Sequence, residues 1–127
     1  MGSFAPYLVT LGRLLLAPVF IQSGLSKIFD YAGTQSLMEA HGLPGLLLAP
    51  TIIVEVLGGL GVLVGLGTRW AALALAGFCL LAAFVFHFDP GDQAQLVQFL
   101  ENICMAGGLF ALAGAGPGAL ALDNLRR

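Results

Sequence analysis

Residues 46–66 read LLLAPTIIVEVLGGLGVLVGL, a stretch whose single ionisable side chain is Glu55. A helix that crosses a bilayer needs about 20 apolar residues, so this segment is long enough and apolar enough to span one. Working outward, the pattern recurs. Residues 5–29, 70–88 and 93–115 are apolar runs of comparable length, which makes four spans joined by short polar connections.

Composition points the same way. Of 127 residues, 58% are hydrophobic and 9% are charged, with a mean hydropathy of +0.94, whereas a soluble domain is about 25% charged. A soluble globule of this size leaves about a third of its unfolded surface in water, and five basic and seven acidic side chains cannot cover that area. The expected fold is therefore an all-α integral membrane protein: an antiparallel four-helix transmembrane bundle with a short interfacial helix between the first and second spans. Residues 1–127 read as a single membrane domain. The formal charge of -2 excludes the clustered lysines and arginines of a nucleic-acid binder.

The first span is too long and too weakly basic at its start for a cleaved signal peptide, and Pro18 within it is expected to kink the helix. Between Asp30 and Gly45 the sequence turns polar. There Thr34 is placed to cap a short helix that ends before Gly42 and Pro44. Gly67-Thr68-Arg69 permits only an antiparallel return, and Trp70 is an interfacial anchor. Asp92 with Gln95 has capping-box spacing, so the fourth span starts at Gln93, and Gly116-Pro117-Gly118 stops it. Arg13, Arg69, Arg126 and Arg127 fall on one side of the bundle. The positive-inside rule then places the N- and C-termini in the cytoplasm of a bacterium, with the protein in its inner membrane.

Ionisable groups inside spans are costly, about 2.5–3.5 kcal/mol on insertion scales, and each needs a partner or a role. Arg13, Ala17, Phe20, Gly24 and Lys27 share one face of the first helix, with Gln22 nearly opposite Arg13. Glu55, Gly58, Gly59 and Val62 share a face of the second, and Gln98, Glu101, Asn102 and Met105 share a face of the fourth. His87 ends the third. Depth suggests two pairings, Arg13 with Glu55 and Lys27 with Glu101. A ligand-binding polar cluster of Arg13, Gln22, Lys27, Glu55, His87, Glu101 and Asn102 is the candidate site. Mutual neutralisation that fixes helix register is the alternative reading of the same groups.

Other chemistries find no support in the residue pattern. Cys79 and Cys104 lie 25 residues apart in apolar runs, without CxxC or zinc-ligand spacing. No second histidine lies within helical reach of His87, so neither a metal nor a haem site is expected. Phosphate loops and nucleophile triads are missing from the sequence.

Arg13 with Gly24 and Lys27, Gly42-Leu43-Pro44, Glu55 with Gly58-Gly59, and Gly65-Leu66-Gly67-Thr68-Arg69 together resemble the DoxX family of small bacterial membrane proteins. Phe99, Asn102, Gly107-Gly108 and Gly116-Pro117-Gly118 with Asp123 extend that resemblance over almost the whole chain. It implies four helices and a place in redox assemblies, such as a thiosulfate to quinone oxidoreductase of acidophilic archaea. A mycobacterial complex with a sulfurtransferase and a superoxide dismutase is the other such assembly. One departure stands out: many relatives carry a basic residue before Asn102, where this chain has Glu101. The expected function is support of a quinone-linked or thiol- or sulfur-linked redox process, with a quinone as candidate cofactor and redox proteins as partners. A non-catalytic scaffold is the alternative, and a small permease a third reading. The lipid bilayer is a partner in each, and self-association through Gly61 and Gly65, or Gly107 and Ala111, is compatible with all three.

Overall fold

The structure is a computed structural model that describes residues 3–126, with Arg126 described by its backbone alone. Arg127 and the Arg126 side chain, both counted in the orientation argument, lie outside the described residues. Among the described residues five α-helices form: α1 (Ala5–Phe29), α2 (Tyr31–Ala40), α3 (Leu48–Val64), α4 (Thr68–Phe86) and α5 (Gln93–Ala115). A 3-10 turn at Gly45–Leu47 leads into α3, and another runs from Leu122 to Arg126. The spans are Ala5–Phe29, Gly45–Val64, Thr68–Phe86 and Gln93–Ala115. In hydrocarbon every backbone group must be satisfied within its own segment, which leaves the helix as the form these apolar runs adopt.

Successive spans alternate in direction, with α1 packed mainly on α3 and α4 mainly on α5, while α3 meets α4 and α1 meets α5. All four neighbours are thus antiparallel. Only 22–28% of each span is buried inside the chain, so most leucine, isoleucine, valine and phenylalanine side chains face outward, as a lipid solvent requires. The core is built from small residues: Ala17, Ala72, Ala76, Ala106 and Ala113 surround Phe20, Val62, Leu75, Cys79 and Leu109. Small side chains let helix backbones approach closely where no hydrophobic drive operates between helices. At the α1–α3 crossing, a Cβ added to Gly59 would lie 2.8 Å from Ile21 Cγ1 and 3.2 Å from the Ile21 backbone nitrogen.

Local signals decide the boundaries, with two corrections. Asp92 caps α5 as expected, its Oδ1 accepting from the amides of Ala94 (3.0 Å) and Gln95 (3.3 Å). Thr34, in contrast, is no cap. The helix starts earlier, at Tyr31 after Asp30, and the Thr34 hydroxyl donates to Asp30 O inside it (2.9 Å). The α3–α4 turn is also displaced, comprising Gly65, Leu66 and Gly67. Gly65 takes a φ of +75° and its α-hydrogen side abuts Arg13 and Ala121, a place that a side chain could not share. The space beside Gly65 is therefore filled from within the chain. Gly61 is likewise occupied, against Leu66 O and Ala71. Pro18 lies inside an α1 that remains one helix from Ala5 to Phe29.

The segment after α5 folds back as a latch. Arg13, 1% exposed, donates from one terminal nitrogen to Ala119 O (3.1 Å) and Leu120 O (2.9 Å), and from the other to Val62 O (3.3 Å) and Leu63 O (3.4 Å). The Thr10 hydroxyl donates to Pro6 O (3.1 Å) and Ala119 O. Asp123 then accepts from the amides of Gly67 (2.7 Å) and Thr68 (3.0 Å), satisfying donors at the start of α4. Leu120 is held in a left-handed conformation (φ +55°) in the middle of this latch.

Candidate functional site

At the end of the bundle covered by α2, residues of the four spans line a cavity of about 490 Å³. Phe20, Phe78, Leu81, Val85 and Met105 wall it, and Thr34, Leu37 and Met38 of α2 cover it. Its polar atoms come from each span in turn: Ser23 and Lys27 from α1, Thr51 and Glu55 from α3, Gln98, Glu101 and Asn102 from α5, and His87 just past α4. Mostly apolar walls with a few convergent polar groups are the usual make-up of a small-molecule site.

The deepest polar feature is an ion pair. Lys27 Nζ lies 2.7 Å from Glu55 Oε1, with the lysine side chain 23% exposed and the glutamate side chain 2% exposed. Lys27 also donates to Ser23 Oγ at 2.7 Å, and its ammonium lies 6.0 Å from the centre of the Phe78 ring. Carboxylate, hydroxyl and aromatic face thus surround one ammonium. The pairing follows from helix geometry. Side chains on a helix lean toward its N-terminus, so Lys27 reaches back toward Ser23, while Glu55 on the antiparallel α3 leans up toward Lys27. Gly24 lets the two helices meet there, since a Cβ at that position would lie 3.3 Å from Glu55 Cβ and 2.5 Å from Val56 Cγ2.

The mouth of the cavity is polar in a different way. His87 Nδ1 donates to Gln95 Oε1 (2.7 Å), and Asn102 Nδ2 donates to Gln98 O (3.0 Å). Glu101 has no hydrogen bond or ion pair among the described residues, so its carboxylate is free to meet water or a ligand. His41, at the end of α2, stacks at 4.8 Å from Phe86 and donates from Nδ1 to Leu37 O (2.9 Å). That contact holds the covering helix against α4.

Two expected pairings are overturned. Arg13 does not reach Glu55: its side chain leans toward the start of α1, away from the cavity, and satisfies carbonyls of α3 and of the latch. Lys27 pairs with Glu55 rather than Glu101, because Lys27 leans into the membrane while Glu101 leans toward the mouth. Gln22 is also outside the cavity. It is exposed on the outer surface of α1, beside Pro18, Leu25 and Ser26. Lys27, Glu55, His87, Glu101 and Asn102 are the predicted residues that the cavity brings together. Cys79 is buried in the core and Cys104 is exposed on α5, and neither lines the cavity.

Reasoning from sequence missed Ser23, Thr51 and Phe78. Ser23 had a usable signal, since it precedes Lys27 by four residues and so shares its face. Phe78 had none, because nothing separates it from other aromatic residues of a span.

A family model described as DoxX matches residues 8–88, a stretch that includes Lys27, Glu55 and His87 and stops short of Glu101 and Asn102. The inner membrane protein YqjF of Escherichia coli (strain K12) is 44% identical over 117 residues, covering 92% of this chain and 90% of that protein. The inner membrane protein YphA of the same organism is 31% identical over 130 residues, covering 97% of this chain and 93% of that protein. An uncharacterized protein of Haemophilus influenzae (strain ATCC 51907 / DSM 11121 / KW20 / Rd) is 29% identical over 132 residues, covering 98% of this chain and 94% of that protein. No solved structure matches the chain. Four apolar spans, a family match over most of the chain and near full-length inner membrane relatives lead to one conclusion: this membrane protein belongs to the DoxX family.

Proposed function

We propose that the cavity under α2 binds the headgroup of a small amphipathic redox molecule, a quinone, and that the protein supports a redox process as the membrane subunit of an oxidoreductase. The observation that carries this reading is the Lys27–Glu55 pair on the floor of an otherwise apolar cavity of about 490 Å³. The residues suit such a group. Aromatic and aliphatic walls fit a flat ring, and Lys27 offers hydrogen-bond donation to a carbonyl oxygen, while Glu101 near the mouth offers acceptance from a hydroxyl of the reduced quinol. A bound quinone would supply two-electron chemistry; the chain itself binds, orients and shields it from water. Because neither cysteine lines the cavity, a thiol of this chain is the weaker candidate for the redox group.

The chain is taken as one domain of a bacterial inner membrane, with both termini cytoplasmic and the cavity mouth on the opposite side. Arg13 and Arg69 at the latch end support that orientation. A membrane-impermeant thiol reagent should label Gly91→Cys in intact cells; labelling only after lysis overturns the orientation.

The function is tested with protein extracted gently from its own membrane, by native mass spectrometry for bound small molecules and by titration with a short-chain benzoquinone. The expected result is a bound quinone, or saturable binding that Lys27→Met with Glu55→Gln weakens roughly tenfold or more, the loss of a hydrogen bond to a charged group. No copurifying quinone together with no binding in titration overturns it. A scaffold that recruits other proteins would bind no quinone as wild type, and Glu55→Gln would lower its folding or assembly.

A further inference from the structure

Gln22 is the predicted site residue that the fold turned away from the cavity, and its surroundings suggest a different use. Leu11, Leu15, Pro18, Gln22, Leu25 and Phe29 follow one another at intervals of 4, 3, 4, 3 and 4, and all of them are exposed. This is the a/d spacing of a coiled-coil seam, running along most of α1 with one polar residue in it. From Pro18 to Phe29 the seam borders a groove of about 500 Å³ whose other wall is Leu63 of α3.

The Gln22 amide has no hydrogen-bond partner among the described residues. It lies seven residues before Phe29, about 10 Å along the helix, and its side chain leans toward the start of α1, away from that nearer surface. An amide facing hydrocarbon without a partner is unfavourable, and the hydrogen of the neighbouring Ser26 hydroxyl is already donated to Ser23 O (2.9 Å), so Ser26 has no donor for the amide oxygen.

We propose that two copies of this chain pair in the membrane through the outer face of α1, with each Gln22 amide hydrogen-bonded to the other. A second copy is the occupant that geometry favours. Copies inserted in the same sense are related by a two-fold axis along the membrane normal, so each residue on the seam meets its twin at equal depth. An amide is both donor and acceptor, and two facing amides close a reciprocal pair of bonds. A single amide in an apolar seam also fixes register, and the open groove beside it receives the side chains of the facing helix.

The full chain, reconstituted in liposomes at low density, tests this with Gln22→Cys in a Cys104→Ser background and oxidative crosslinking. Phe110→Cys, on the exposed face of α5, is the control. A covalent dimer is expected from position 22 and not from position 110. Single-molecule photobleaching should show wild-type dimers, and Gln22→Leu should lower the association constant roughly three- to twenty-fold, the range of interhelical hydrogen bonds in membranes. A monomeric wild type, equal crosslinking at both positions, or undiminished association of Gln22→Leu overturns the proposal.

Discussion

Removing either partner of the Lys27–Glu55 pair should have unequal effects, and removing both should be nearly harmless. Lys27→Met leaves the Glu55 carboxylate in a side chain that is 2% exposed, with its one ionic contact gone. A buried charge stripped of its partner costs about 3–5 kcal/mol. Glu55→Gln leaves Lys27 in a side chain that is 23% exposed, opens to the cavity and still donates to Ser23. The cost there should be lower, about 1–2 kcal/mol, near the low end for a hydrogen bond to a charged group. In the double variant no charge is stranded, and stability should return to within about 1 kcal/mol of wild type. The coupling is then several kcal/mol, well above the scatter of additive pairs. Reversible unfolding of the four proteins in one detergent, read by circular dichroism, measures it. Equal losses in the two single variants, or a double variant whose loss is their sum, would refute the geometry on which the site is built.

Two further outcomes follow from other parts of the fold. Gly59→Ala should destabilise the bundle by about 1–3 kcal/mol in the same unfolding assay, because its Cβ would press on Ile21 at 2.8 Å and part of that obstacle is backbone. Asp123→Ala should cost roughly 1 kcal/mol by stripping the acceptors from the Gly67 and Thr68 amides, and hydrogen exchange at those two amides should rise while exchange in α5 stays unchanged.

Span number, the α5 cap and the inward faces of α1 and α3 were legible because each rests on local spacing. Arg13, Ala17, Phe20 and Gly24 share a face by arithmetic alone, and all four are buried. Pair identity was not legible from depth along the helix axes, since the lean of each side chain decides it. Arg13 and Lys27 lie on the same face, yet both lean toward the start of α1, which carries one out of reach of Glu55 and brings the other onto it. Thr34 misled for a related reason: a threonine four residues after an available carbonyl bonds that carbonyl within a helix as readily as it caps one. The latch could not be foreseen from residues 119–126, which are short and without strong periodicity, because the groups that Arg13 and Thr10 meet there are backbone carbonyls.

That latch imposes an order on assembly. Segments of a membrane protein enter the bilayer in the order in which they are translated, so α1 is in place long before residues 119 and 120 exist. Until those residues arrive, the Arg13 guanidinium lacks the two closest of its four acceptors, and the start of α4 lacks the Asp123 carboxylate. A charge inside an apolar helix is therefore held in suspense through most of synthesis. The Arg13 contacts therefore tie the first span to the residues that follow the fourth, and the full set closes only when residues 119 and 120 are in place.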